Sequence, residues 1–192
     1  EWRPERAPKG TKRVMVLPTA PADELETCNL FFLHAIHSAR RRIWIVSPYF
    51  VPDHDILAAI QLAALRGVDV RIMLPLKPDH KIVYLASFSY LNQLAMENVG
   101  VFRYEPGFLH QKVLLVDDDL ASVGTANADN RSFRLNFEIS MVVADRELAR
   151  EVEVMLERDF ARCQRVTEED YERRGPLFKL GVRIARLFSP LL

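Results

Sequence analysis

A chain of 192 residues and 22.1 kDa with 49% hydrophobic side chains can bury a core for one domain, on the order of 70% of its unfolded surface. Its 26 basic and 26 acidic side chains cancel, which excludes the general electrostatic footprint of a nucleic-acid binder. Cys28 and Cys163 are too few for a disulfide framework and fit a reducing compartment, and neither an 18-residue apolar run nor a basic-then-apolar leader is present.

In chain order, residues 1–12 set Arg3, Arg6, Lys9 and Lys12 against Glu1 and Glu5 and read as a solvated linker. The opening Glu1-Trp2-Arg3-Pro4, without methionine, reads as a piece of a longer protein. Arg13 to Leu17 predicts a strand, Ala22 to Ala39 a helix, Arg42 to Ser47 a strand, Asp53 to Arg66 a helix capped by Asp53, and Val68 to Leu74 a strand. Pro48-Tyr49-Phe50-Val51-Pro52 follows a buried strand and either lines a cleft or acts as a rigid connector. Lys81 to Glu97 predicts a helix and Val101 to Tyr104 a strand. Leu109 to Val116, Leu120 to Val123 and Asn136 to Val143 predict further strands, and Asp145 to Gln164 a helix. The fold class expected is α/β, a mixed sheet sandwiched by helices on both faces, with a catalytic domain over residues 13–165 and a tail over 166–192.

The chemistry concentrates in one segment. His110-Gln111-Lys112, then Val113 to Val116, Asp117, six residues and Gly124-Thr125-Ala126-Asn127 place six fixed residues within 18 positions. On a strand from Leu109, His110 and Lys112 leave the same face, and a hairpin across Asp117-Asp118-Asp119 returns Thr125 and Asn127 beside them. Phosphoryl transfer needs a nucleophile and fixed positive charge or donors around the phosphate oxygens. A neutral imidazole is available near pH 7, and its adduct with phosphorus is broken again by water or an alcohol. Glu138, on the strand from Asn136, either holds the other imidazole nitrogen or is an ordinary polar strand residue.

These residues resemble the His-Lys-Asp signature of the phospholipase D superfamily. The strings Tyr49-Phe50-Val51-Pro52-Asp53, Gly107-Phe108-Leu109-His110-Gln111-Lys112, and Gly124 to Asn127 with Asp129-Asn130-Arg131-Ser132-Phe133 resemble the bacterial cardiolipin synthases within it, in their C-terminal half. The resemblance runs over nearly the whole chain. It implies a phospholipase D-like domain, the second of two in a full enzyme held at the bacterial inner membrane by N-terminal transmembrane helices. It further implies a two-step phosphatidyl transfer without metal or cofactor, in which one phosphatidylglycerol loses glycerol to a histidine and a second collects the phosphatidyl group. Carried over by residue, His110, Lys112 and Asp117 become the catalytic triplet, Thr125 and Asn127 the phosphate-side pair, and Glu138 the histidine-orienting carboxylate. Ala128 departs from the aromatic residue expected after the asparagine. Hydrolysis, as in a phospholipase D or nuclease, and an inert lipid-docking half-domain remain as alternatives.

This chemistry needs two histidines, one to attack and one to move protons. The chain carries one cassette, since none of His34, His37, His54 and His80 has a lysine two residues on and an aspartate beyond. His34 and His37 read as helix-face residues without a third metal ligand, and His80 as a solvated cap or a phosphate contact. The second histidine is expected from an N-terminal half of the same enzyme or from a second copy across a two-fold axis. After Pro176, Leu177, Leu180, Ile184, Leu187, Phe188 and Leu191 recur at helical spacing beside Lys179, Arg183 and Arg186, with no acid after Glu172. This basic amphipathic helix either lies on an anionic membrane or docks on protein.

Overall fold

The computed structural model describes residues 10–192, so the first nine positions of the expected linker lie outside the described residues. In chain order the elements are β1 (Val14–Thr19), α1 (Thr27–Ser38), β2 (Arg42–Val46), β3 (Phe50–Val51), α2 (His54–Leu65), β4 (Asp69–Pro75), α3 (Lys81–Leu91), β5 (Val99–Tyr104) and β6 (Val113–Val116). They continue as β7 (Leu120–Gly124), β8 (Ala128–Asp129), α4 (Asn130–Arg134), β9 (Glu138–Ala144), α5 (Arg146–Phe160), β10 (Cys163–Arg165), α6 (Glu168–Glu172) and α7 (Pro176–Leu187). Eight of these strands form one mixed sheet in the order β1-β9-β7-β6-β2-β4-β5-β10. β2, β4 and β5 run parallel to one another, while β6 and β7 run antiparallel in the hairpin the three aspartates predict.

Side-chain alternation explains why β6 is apolar at every position. Leu114 and Val116 join Ile43, Ile45 and Ile72 in a core packed against α1 and α2. Val113 and Leu115 face the other way, joining Trp44, Val46 and Met73 against Ala149, Val152 and Leu156 of α5. The sheet is therefore sandwiched by helices, as the alternating pattern predicts. Each fully buried aliphatic or aromatic side chain of this kind contributes about 1.5–3 kcal/mol.

Several boundaries differ from expectation. α1 begins at Thr27 because residues 20–26 are spent on turns, one of which is closed by the Ala20 amide donating to Asp23 at 3.0 Å. α3 ends at Leu91 and hands over to a 3₁₀ turn at Asn92–Leu94. α5 stops at Phe160, because Cys163 to Arg165 instead pair antiparallel with Phe102 to Tyr104 and cover that sheet edge. Lys12 is pinned, bonding Asp145 at 2.6 Å and also pairing with Glu147 at the start of α5, so the chain is tied to the domain before β1 begins. The tail packs on the domain as well, with α7 against α3.

Candidate active site

The strand expected from Leu109 begins only at Val113, and the reason lies in its neighbour. The Gly124 amide bonds the Lys112 carbonyl at 3.2 Å, after which Thr125 turns away and donates its amide to Ile139 O at 2.9 Å. Residues 109–111 thus have no strand beside them, and His110 and Lys112 sit on the irregular approach to β6. They still arrive at one end of the sheet. Val113 lies opposite Val46 and Val123, so Lys112 falls in register with Ser47 after β2 and with Gly124 at the end of β7, and the Glu138 charge at the start of β9 acts on its ammonium. Gly124 is required at this junction: a Cβ there would lie 2.4 Å from Ile139 O and 2.7 Å from Ser140 Oγ.

Glu138 organises the polar side of the cluster. One oxygen accepts from Thr125 Oγ1 at 2.5 Å, the other from Ser132 Oγ at 2.9 Å and Asn136 Nδ2 at 3.0 Å. Ser132 Oγ also accepts the Asn127 amide at 2.9 Å, and Asn127 Oδ1 is buried without a protein partner. Such an orphan ordinarily costs about 1–3 kcal/mol, and it lies where the cassette needs a polar group. Lys112 Nζ donates to His110 O at 2.9 Å. Burial pushes its ammonium below the usual lysine value, while the carboxylates of Glu138, Asp129 and Asp79 pull the other way.

Three of the expected site residues take other partners in the structure. Glu138 does not hold His110, whose exposed ring instead stacks on Phe108 with centroids 5.2 Å apart and planes at 13°. The glutamate's oxygens are turned to Thr125, Ser132 and Asn136, and the Thr125 hydroxyl is committed to Glu138 rather than turned toward a phosphate. Asp117 does not join the cluster. It ends the opposite end of β6, five residues from Lys112, or roughly 16 Å at strand rise. There its carboxylate accepts the amides of Arg40, Arg41 and Arg42 at 2.8–3.2 Å, and its backbone carbonyl accepts Arg42 Nε at 2.9 Å. Asp117 has φ 48°, a left-handed turn geometry that aspartate tolerates better than most residues. The third member of the cassette clasps the hairpin turn to the start of β2.

Residues 32–160 match a family described as cardiolipin synthase, PLD-like domain. The chain belongs to this family. Over 189 residues it is 54% identical to cardiolipin synthase A of Pseudomonas putida, covering 98% of this chain and 39% of that protein. It is 52% identical over 189 residues to cardiolipin synthase A of Pseudomonas fluorescens, covering 98% and 40%. The PLD-like chain described here thus spans about 40% of the length of such relatives. Among solved structures, a phospholipase D family member, Nuc from Salmonella typhimurium, superposes with a TM-score of 0.69 at 22% identity, covering 81% of this chain and 99% of that one. Phosphatidylserine synthase of Haemophilus influenzae gives 0.68 at 19% identity, covering 93% and 48%. These two share the fold.

Around the PLD-like centre the structure gathers residues that the cassette spacing alone does not reveal. Ser47 Oγ donates to Tyr49 O at 2.6 Å and accepts the Ala128 amide at 3.0 Å, and β3 pairs with β8 in a two-stranded ribbon. This ribbon carries the Tyr49 loop to the site's border. Tyr49 donates to Asp79 at 2.7 Å and meets His80 edge-on at 5.7 Å, and these three line a small cavity of about 10 Å³, room for about one water. Burial and Asp79 raise the Tyr49 hydroxyl's pKa. Ala128 is buried in β8 and, with Lys112, lines a separate small cavity of about 10 Å³. Asp129 is buried at the start of α4, capping Ser132 N at 2.8 Å, and burial raises its pKa. Its signal in sequence was the capping pattern Asp129 to Ser132, which marks a helix start as readily as a site. His34 and His37 are exposed on α1, and among the described residues no group of three or more His, Cys, Asp or Glu could hold a metal ion.

Proposed function

We propose that this chain is the C-terminal catalytic half of a cardiolipin synthase and supplies His110 as one of two histidines at a shared, metal-independent phosphatidyl-transfer site. What supports the reading is that His110 and Lys112, approaching β6, and Asn127 with the Glu138 network, following β7, lie toward one end of the sheet in a chain more than half identical to cardiolipin synthase A. A companion half supplying the second histidine is supported by the chain's share of its relatives' length, about 40%.

The proposed reaction has two displacements at phosphorus. A histidine nitrogen attacks the phosphodiester of one phosphatidylglycerol, a phosphorus–nitrogen bond forms, and the bond to the glycerol headgroup breaks. The other histidine, as imidazolium, gives its proton to the departing glycerol oxygen. That histidine then takes the proton from a hydroxyl of a second phosphatidylglycerol, whose oxygen forms the new bond to phosphorus as the phosphorus–nitrogen bond breaks. Cardiolipin and one glycerol result, and both histidines return to their starting state. Lys112 holds positive charge beside the phosphate oxygens, and Asn127 supplies the uncharged polar contact. The Glu138 carboxylate fixes Thr125 and Ser132, and through Ser132 the Asn127 backbone, so it positions the phosphate side of the pocket.

Labelled phosphatidylglycerol in mixed micelles under chelator, given to this chain together with its companion half, tests the reading. Cardiolipin and glycerol released one for one are expected. Phosphatidic acid as the product would assign a hydrolase instead, because water would then have completed the second displacement.

A further inference from the structure

α7 divides into three stripes: one packs on the protein, one is apolar and faces outward, and one is cationic, its Lys179 and Arg186 also reaching back over Tyr171 and Tyr90. Val182 and Ala185 are buried, Phe178 meets Phe88 edge-on at 5.1 Å, and Gly181 passes close enough to Leu85 that an added Cβ would touch it at 3.6 Å. The helix is also held at its far end. Asn130, buried beside Asp129, donates through Nδ2 to Val51 O at 3.1 Å and Ser189 O at 2.9 Å, and the Arg131 amide donates to Leu192 O at 3.2 Å. α7 therefore bridges α3 and α4, the two helices that border the candidate site.

The second stripe is apolar and faces outward. Leu177, Leu180, Ile184 and Leu187 lie on one side of α7 and are between 49% and 84% exposed, and Phe188 and Leu191 continue the row at 50% and 63%. At 1.5 Å per residue the stretch from Leu177 to Leu187 runs about 15 Å. The third stripe is cationic: Lys179, Arg183 and Arg186 each precede a residue of the apolar row by one position, and no acid follows Glu172. Water exposure of such a row is unfavourable by the hydrophobic effect, and among the described residues no intramolecular partner covers the front of this helix.

We propose that the outward face of α7 is a docking surface for an anionic lipid bilayer, with the leucine row sunk among the acyl-chain boundary and the three cations at headgroup level. The charge pattern favours lipid over a protein partner. A bilayer of anionic headgroups presents negative charge beside an apolar layer, which is the same side-by-side order as the two outer stripes of α7. Because α7 is pinned to both α3 and α4, docking there would hold the site at a fixed height and orientation over the membrane that contains its substrate. This last consequence rests on the lipid reading of the site, whereas the docking itself does not.

Co-flotation of the 192-residue chain with phosphatidylcholine vesicles, and with vesicles that also contain phosphatidylglycerol, tests the surface without any turnover, so its failure is distinct from failure of the transfer reading. Binding is expected on the anionic vesicles, weakening as salt rises. Arg183→Glu should weaken partitioning roughly tenfold, and Leu180→Ser with Ile184→Ser should weaken it at unchanged charge. Both variants alter exposed side chains, and an unchanged circular-dichroism melt checks that the fold is kept. Ile184→Cys carrying an environment-sensitive dye should shift to the blue on anionic vesicles only. Equal binding to neutral vesicles, or binding unchanged in Arg183→Glu, would overturn the proposal. So would a dimer in sedimentation that the Leu180→Ser, Ile184→Ser variant dissolves, because the row would then belong to a second copy.

Discussion

Lys112 is a half-buried cation in a cluster of three carboxylates, and its setting separates a clamp on phosphate from a surface lysine. If it stabilises charge on the phosphate in flight, Lys112→Ala should cost roughly a hundred- to a thousandfold in kcat, about 3–4 kcal/mol, as loss of one transition-state donor does. His110→Ala should remove turnover altogether. Since the His110 ring is exposed and stacks on Phe108, itself largely exposed, the melting temperature of that variant should stay within a few degrees of the parent. A large fall in melting temperature would make His110 structural. The pH behaviour follows from the sign of the Lys112 shift. Burial lowers its folded pKa beneath 10.5, so the unfolded chain binds more protons between those values, and this group's contribution to stability rises with pH across the window. The charge needed for turnover disappears over the same window. Activity should therefore fall on the alkaline side earlier than an ordinary lysine would dictate, without a matching loss of stability from this group. Lys112→Arg, keeping its charge, should move that alkaline limb upward in whatever rate it retains, and an unmoved limb would assign it to another group.

The hairpin of β6 and β7 shows how one sequence motif serves two ends of a strand. His110 and Lys112 precede β6 at the site, and Asp117 follows it at the far end, where it accepts three consecutive amides from Arg40 to Arg42. Asp117→Ala should leave those amides short of an acceptor and lower stability by about 2–4 kcal/mol, partly offset by water because the turn is not fully enclosed. Activity per folded molecule should fall far less than in Lys112→Ala. A comparison of kcat, corrected for the folded fraction, between the two variants checks this, and equal losses would return Asp117 to the chemistry. Element types and their order were legible in sequence, because β2, β4 and β6 carry continuous apolar runs and α2 and α5 open on capping aspartates, Asp53 and Asp145. Hidden features depended on partners distant in sequence. β10 exists because β5 offers an unpaired edge, the short β3–β8 ribbon because Ser47 catches the Ala128 amide, and residues 109–111 are irregular because β7 turns away at Thr125. Spacing placed Glu138 near the cassette but left its partner open, since Thr125, Ser132 and Asn136 compete with the imidazole for the same oxygens.

At the scale of the whole molecule, a mixed sheet between two helical layers carries His110, Lys112 and Asn127 at one end of its central strands, and one cassette supplies one histidine. Two displacements with proton transfer in each call for a second, and a chain covering about 40% of its relatives' length leaves room for the half that would bring it. The docking face proposed for α7, held between α3 and α4, would let that proposed assembly sit on the membrane of its lipid substrate. The most direct test of the shared site is to incubate labelled phosphatidylglycerol with this chain alone, with a separately expressed companion half alone, and with the two mixed. Cardiolipin formed only in the mixture, and lost when the mixture carries His110→Ala, is the predicted result. Cardiolipin formed at the same rate by this chain alone would contradict a site shared with the companion half.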